Sequence, residues 1–174
     1  MNKVALRQKH KELRLRMDPA LIQAASVQIQ EKLWLRLSGV QSVGIYIAMN
    51  TEVQTQVLIN RLLANDKIVC VPKIVNGTLV FIRIRDINEC AMSTFGIMEP
   101  LSNEPYEGLI EVQVIPMLAF NERHFRLGYG KGYYDYYLHN YSGLKLGICF
   151  SLNSENELKE TQFDVKCDKI ITEL

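Results

Sequence analysis

Residues 43–72 read VGIYIAMNTEVQTQVLINRLLANDKIVCVP, and this stretch decides the fold. Val43-Gly44-Ile45-Tyr46-Ile47 is a short, continuous apolar run, the pattern of a strand buried on both sides. Residues 57–64 carry a helical pattern, and Lys67-Ile68-Val69-Cys70-Val71-Pro72 is a second apolar strand. Buried strands alternating with helices argue for a mostly parallel sheet covered on both faces. The expectation is one α/β domain over residues 1–174.

The flanking segments extend the pattern. Residues 2–17 form a basic helix with a weak apolar stripe of Leu6, Leu13 and Met17. Asp18-Pro19 is a cap followed by a first-turn proline. Ile22, Ala25, Ile29, Leu33 and Leu37 then recur at helical spacing until Ser38-Gly39 ends the segment. Toward the C-terminus, Asn76-Gly77 predicts a tight hairpin into a strand over 78–84. Residues 86–110 hold Gly96, Pro100, Pro105 and Gly108 and read as an irregular connection. Further strands are expected at 112–115, 145–150 and 169–172, with a loop over 116–125. No internal repeat, low-complexity tract or linker interrupts the chain.

Composition narrows the function classes. Of 174 residues, 48% are hydrophobic and 22% charged, an ordinary globular balance. The net charge of +1 supplies no global field toward nucleic acid or anionic membrane, so phosphate recognition has to be local. No stretch approaches the roughly 20 apolar residues of a membrane span, and the first residues lack the apolar core of a signal peptide. The expected location is the cytoplasm. Cys70, Cys90, Cys149 and Cys167 include no C-x-x-C pair, and His10, His124 and His139 show no metal-ligand spacing with them. Zinc and disulfides are not expected.

The chemistry is written in residues 126–135, Arg-Leu-Gly-Tyr-Gly-Lys-Gly-Tyr-Tyr-Asp. Alternating Gly128, Gly130 and Gly132 let the backbone take positive φ and approach a ligand closely. Their N–H groups can line an anion nest, and Arg126 and Lys131 add charges suited to phosphate oxygens. A helix starting at Tyr133 would turn its positive end toward the same loop. The string is neither a Walker A loop nor the dinucleotide fingerprint, because Tyr133 stands where that fingerprint needs its third glycine. In parallel sheets, ligands gather at the carboxyl ends of strands. Residues 48–52, 116–135 and the tail around Asp164 are expected to meet on that rim.

Taken together, the chain resembles the 5-formyltetrahydrofolate cyclo-ligase family, nearly end to end. The resemblance runs through Lys3-Val-Ala-Leu6-Arg7, Met49-Asn-Thr-Glu52, Gly96-Ile-Met-Glu-Pro100, Arg126-Leu-Gly-x-Gly-x-Gly-Tyr-Tyr-Asp135, Asp164-Val-Lys-Cys-Asp168 and Ile170-Ile-Thr-Glu173. The glycine-tyrosine string is the specific element, whereas Lys-x-x-Leu-Arg alone occurs by chance in basic helices. The resemblance implies ring closure of 5-formyltetrahydrofolate to 5,10-methenyltetrahydrofolate with ATP and Mg²⁺. It also implies an open three-layer α/β sheet like that of the sugar-phosphate isomerase and CoA-transferase group. Carried over by position, Lys3, Arg7 and residues Arg126, Leu127, Gly128, Tyr129, Gly130, Lys131, Gly132, Tyr133 and Tyr134 bind ATP. Arg126, Lys131 and Tyr134 serve the chemistry. Ile47, Glu52 and Arg7 meet the folate, and Asp135 and Asp164 hold Mg²⁺. A monomer or weak homo-oligomer without nucleic-acid or membrane partners is expected.

Read singly, these residues have plainer uses. Lys3 and Arg7 are solvated helix charges, Glu52 a helix cap, and Asp135 a first-turn carboxylate complementing a helix dipole. Four positions depart from the family pattern: Asn121 and His124 replace an aspartate and a glycine, and Asn153 replaces a glutamine. Thr51 replaces an acidic residue that often precedes Glu52. His124 must therefore make its turn without glycine's freedom. Two other classes fit parts of the pattern: a non-catalytic protein that holds nucleotide or folate, and a kinase or ligase acting on another acyl substrate.

Overall fold

The computed structural model describes residues 2–94 and 96–174. The chain opens with α1 (Lys3–Leu15) and α2 (Pro19–Leu37), then β1 (Ser42–Ile45), α3 (Gln56–Ala64), β2 (Ile68–Val75) and β3 (Thr78–Ile84). After short strands β4 (Cys90–Met92) and β5 (Met98–Pro100) come β6 (Val112–Pro116), β7 (Ala119–Phe120) and β8 (Arg126–Leu127). Helix α4 (Tyr133–His139), β9 (Leu144–Ile148) and β10 (Lys169–Ile171) complete it. The central sheet has the order β10-β9-β6-β1-β2-β3. Neighbours are parallel from β10 to β2, and only β3 runs antiparallel, to β2.

Strand periodicity sorts the sheet into two faces. Val43 and Ile45, Val69 and Val71, Val112 and Val114, and Leu146 and Ile148 point to one side, where they pack with Ile29, Leu33 and Leu37 of α2 and Leu58, Ile59 and Leu62 of α3. The opposite face mixes small or polar residues such as Gly44 and Gln113 with apolar ones. There Ile115 and Cys149 pack with Leu138 and Tyr134 of α4, and Cys70 and Phe81 with Tyr134 and Tyr137. On that face a Cβ at Gly44 would fall 2.2 Å from Oε1 of Gln113, so the amide that bonds the Tyr137 hydroxyl would have to move. Helices therefore cover both faces of a mostly parallel sheet, as expected.

Local signals explain the boundaries. Asp18 Oδ1 accepts from the N–H of Ala20 at 2.8 Å and Pro19 opens α2. Asn76 (φ 50°) and Gly77 (φ 76°) form the tight turn joining β2 to β3. Ser26 and Gln30 of α2 are buried, but not for packing alone. Ser26 Oγ accepts from the N–H of Gln54 at 2.9 Å, and Gln30 Oε1 from the N–H of Leu58 at 2.8 Å, within the first turn of α3.

Three expectations need correction. The segment 86–110 is not wholly irregular, because β4 and β5 pair as a small antiparallel ribbon. The loop 116–125 contains β7, which pairs with β8. The inward face of α1 is not Leu6, Leu13 and Met17 but Leu6, His10 and Arg14, two of them polar and buried. All four cysteines are free and buried, and burial pushes the thiol of Cys70 up to about 12 and those of Cys90, Cys149 and Cys167 to about 11. Among the described residues no helix is long and apolar enough to cross a membrane.

Candidate active site

From β1 the chain runs outward to β2 and β3, then returns to β6 on the other side of β1. That reversal opens a crevice beyond the carboxyl ends of β1 and β6, the position where such sheets bind ligands. A cavity of about 920 Å³ lies there. Its walls come from residues after β1, from Pro72 to Ile74 on β2, from β5, from the glycine loop and α4, from α1, and from Gln162 to Asp164. Every predicted site residue lines it: Lys3, Arg7, Ile47, Glu52, the whole stretch from Arg126 to Asp135, and Asp164.

The β1 side is built by hydrogen bonds. Thr55 Oγ1 donates to the Tyr46 carbonyl at 2.7 Å and accepts from the Ala48 N–H at 3.2 Å, pinning the strand's extension. A turn follows in which the Glu52 N–H bonds the Met49 carbonyl at 2.9 Å and Asn50 takes φ 45°. Glu52 thereby folds back into the cavity at 6% exposure. Its Oε2 accepts from the Met49 N–H at 3.0 Å and its Oε1 from the Tyr129 hydroxyl at 2.8 Å. Burial raises the Glu52 pKa, against the opposing pull of those two donors.

The glycine loop is held from α1. Arg7 Nε donates to the Gly128 carbonyl at 2.9 Å, and its guanidinium lies where a Cβ at Gly130 (φ 103°) would approach to 3.1 Å. Gly132 (φ 71°) precedes α4 in the left-handed region. Among the described residues, the N–H groups of Gly128 through Gly132 donate to no backbone acceptor. Lys131 beside them is exposed and makes no ion pair with a described residue. The loop thus presents unused donors and a full positive charge to the cavity.

The carboxylates sit on the far side. Arg126, 6% exposed, donates to Asp135 Oδ1 and to the Val165 carbonyl, each at 2.5 Å, and the Val165 N–H returns a bond to Asp135 Oδ1 at 3.0 Å. Lys3 donates to Asp164 Oδ2 at 2.5 Å, and Thr161 adds its N–H at 2.6 Å and hydroxyl at 3.0 Å. Burial alone would raise the Asp164 pKa, but Lys3 and Thr161 outweigh it and hold it below the usual range. Each carboxylate spends one oxygen on being positioned, while the other takes no bond from a described residue. Arg126 is accordingly a buttress for Asp135 and the 165 segment. Among the described residues no group of three His, Cys, Asp or Glu side chains converges.

Tyr134 completes the floor. Its hydroxyl is buried with no hydrogen-bond partner among the described residues. Burial, then Glu52, pushes its pKa up, so the phenol stays protonated and able to donate. Three of the departures from the family pattern, Asn121, His124 and Asn153, stand behind the cavity, not in its lining. Asn121 Oδ1 accepts from the N–H groups of Arg123 (3.1 Å) and Phe125 (3.0 Å), and His124 takes φ 66° to close that turn. Asn153 bonds His10 Nδ1 at 3.0 Å. Lining residues that the sequence did not mark include Tyr46, Lys73 and Phe163. Tyr46 belongs to the apolar run read as a strand, whereas Phe163 and Lys73 carry no motif.

Fold and cavity define an open α/β protein in which a glycine loop with unused N–H donors faces a buried carboxylate across one crevice. Comparison with known proteins places it more closely. The model of the 5-formyltetrahydrofolate cyclo-ligase family matches residues 1–173, and the chain belongs to that family of ligases. A 5-formyltetrahydrofolate cyclo-ligase of Haemophilus influenzae is 28% identical over 134 residues, covering 72% of this chain and 72% of that protein. A 5,10-methenyltetrahydrofolate synthetase structure from Aquifex aeolicus superposes with a TM-score of 0.88 at 27% identity, over 99% of this chain and 90% of that one. Its counterpart from Mycoplasma pneumoniae gives 0.79 at 25% identity, covering 100% of both.

Proposed function

We propose that this domain, residues 1–174, converts 5-formyltetrahydrofolate to 5,10-methenyltetrahydrofolate, consuming ATP with Mg²⁺ and releasing ADP and phosphate. The observation that carries the reading is the single cavity in which Glu52 and Ile47 face the glycine loop, Asp135 and Asp164. A formamide is a weak electrophile, and its oxygen is a poor leaving group. Transfer of the γ-phosphoryl to the formyl oxygen, with the bond to ADP breaking, makes that oxygen leave as phosphate. The N10 lone pair attacks the formyl carbon, N10 loses its proton, and the ring closes as the amidinium.

Each residue has a part in that sequence. Glu52 accepts hydrogen bonds from the pterin amino and N–H groups, and Ile47 gives the ring an apolar contact. The free N–H groups of the loop and Lys131 receive the nucleotide phosphates, which mainly need positioning and charge neutralisation. Lys3 and Arg7 reach the same phosphates from α1. Arg126 holds Asp135 in place, and the unpartnered Tyr134 hydroxyl donates to an oxygen on the reacting groups. The uncommitted oxygens of Asp135 and Asp164 suit an ion that keeps several waters and phosphate ligands. Mg²⁺ held there supplies charge neutralisation at the transferred phosphoryl group.

Mixing purified protein with Mg-ATP and 5-formyltetrahydrofolate tests the reading through the near-ultraviolet absorbance of the methenyl product. Product that requires both ATP and Mg²⁺ is the expected result. ATP binding without any product would instead favour a binding protein or a different acyl substrate. The reaction gives no reason for a nucleic-acid or membrane partner, fits a cytoplasmic setting, and is complete within one chain.

A further inference from the structure

We propose that Tyr129 sets the folate affinity by occupying Glu52 in the free protein, so that the pterin has to displace it. The inference rests on Glu52 being the folate carboxylate, as proposed above. Tyr129 belongs to the glycine loop, yet its side chain leaves the phosphate side of the cavity. Its hydroxyl donates to Oε1 of Glu52 at 2.8 Å.

That aim is imposed by the flanking backbone. Arg7 holds the Gly128 carbonyl at 2.9 Å and packs on Gly130, the residues immediately before and after Tyr129. Tyr129 is 46% exposed while Glu52 is 6% exposed. The ring therefore covers Glu52 from the solvent side, its hydroxyl end inward. Both residues line the same cavity.

The two donors on Glu52 are not equivalent. The Met49 N–H belongs to the turn that carries Glu52, so it travels with the carboxylate. Tyr129 comes from a separate segment, so its bond breaks by rotation of its own side chain while the backbone held by Arg7 stays in place. A pterin offers its amino group and adjacent N–H side by side, a pair matched to both oxygens of one carboxylate. Of the two bonds already on Glu52, the tyrosine's is the one that yields. Because its flanking glycines also carry the phosphate-facing N–H groups, one residue joins the folate and nucleotide halves of the site.

A hydrogen bond to a charged group corresponds to roughly tenfold or more in an equilibrium constant. Part of that is recovered when the released hydroxyl meets water, leaving an expected effect of about three- to tenfold. Calorimetric titration of 5-formyltetrahydrofolate into the full chain without nucleotide reads it directly. Tyr129→Phe keeps the ring and removes the donor, and its folate Kd should fall about three- to tenfold. Tyr129→Leu should shift the Kd in the same direction.

An unchanged Kd in Tyr129→Phe overturns the proposal, and a weaker one makes Tyr129 a supporting contact instead. A gain in Tyr129→Leu without one in Tyr129→Phe also overturns it, because the ring and not the hydrogen bond would then be the obstacle. Absence of any folate binding by the unaltered chain would overturn the folate reading itself, and the gate with it.

Discussion

Replacing Arg14 with methionine should destabilise the protein by about 2–4 kcal/mol, and the estimate follows from what the guanidinium holds. Arg14 is 1% exposed. Its Nη2 donates to the carbonyls of Met117 and, at 3.3 Å, Leu118, while Nε reaches Asn153 Oδ1 at 3.4 Å. Among the described residues no carboxylate pairs with it; carbonyl dipoles and the face of Phe150, 5.8 Å away, balance the charge. Methionine fills much of the space but leaves the Leu118 carbonyl without its Arg14 bond and the Met117 carbonyl with only the Cys149 thiol (3.7 Å), at ~1–3 kcal/mol each. Removing a desolvated charge returns part of that.

For a chain of this size each kcal/mol moves the midpoint by about 2–4 °C, so thermal unfolding should shift down by about 5–15 °C. Urea unfolding followed by circular dichroism gives the free energy directly. A loss under about 1 kcal/mol, or a gain, would refute the reasoning: desolvation of the charge would then outweigh the bonds it makes. Arg14→Lys should fall between, since one ammonium cannot span the same acceptors.

Further outcomes are expected. Asp135→Asn keeps the acceptor for Arg126 and Val165 but loses the charge, and should cut turnover by about 100-fold or more while folate binding, read by titration, changes little. Lys131→Ala should raise the KM for ATP by about tenfold, and an unchanged value would remove it from the phosphate site. Burial holds His10 below its ordinary pKa despite Glu155, so its contribution to stability is present above about pH 6.5 and declines in acid. Burial alone would raise Glu155, but Lys9, the Glu157 N–H and His10 bring it to about 2, so its contribution fades between about pH 4.5 and 2; chemical unfolding across pH should show both stages, and Glu155→Gln should abolish the lower one. His124→Gly should be neutral or stabilising by up to about 1 kcal/mol, because φ 66° strains any residue with a Cβ.

What the sequence revealed follows from how signals are carried. The strands of the central sheet were legible because burial on both faces demands continuous apolar runs, and the hairpin because Asn76-Gly77 suits its backbone. The β7–β8 ribbon was not, since two-residue strands fixed by backbone pairing leave no periodicity to read. The same holds for Ser26 and Gln30, which sit at core positions because the segment entering α3 and its first turn need their oxygens. In the site, the glycine loop with its basic and acidic rims announced itself. Glu52 and Asp164 gained meaning only through the family pattern, and Tyr46, Lys73 and Phe163 only through the cavity they line.

Helix α1 shows why reading its apolar residues misses its role. Lys3, Arg7, His10 and Arg14 are spaced four, three and four apart, so they share one face. Along that face run bonds to Asp164 (2.5 Å), the Gly128 carbonyl (2.9 Å), Glu155 (3.0 Å) and Asn153 (3.0 Å), and finally the Met117 carbonyl. Of the apolar residues in the helix, only Leu6 is fully buried. An apolar stripe would tolerate a small rotation, whereas a row of directional bonds is satisfied in one setting only. The sealed end at His10 and Arg14 therefore fixes where Lys3 and Arg7 stand in the cavity. A lesion at Arg14 should consequently reach the nucleotide half of the site about two turns away, and raise the KM for ATP even at temperatures where the chain is still folded.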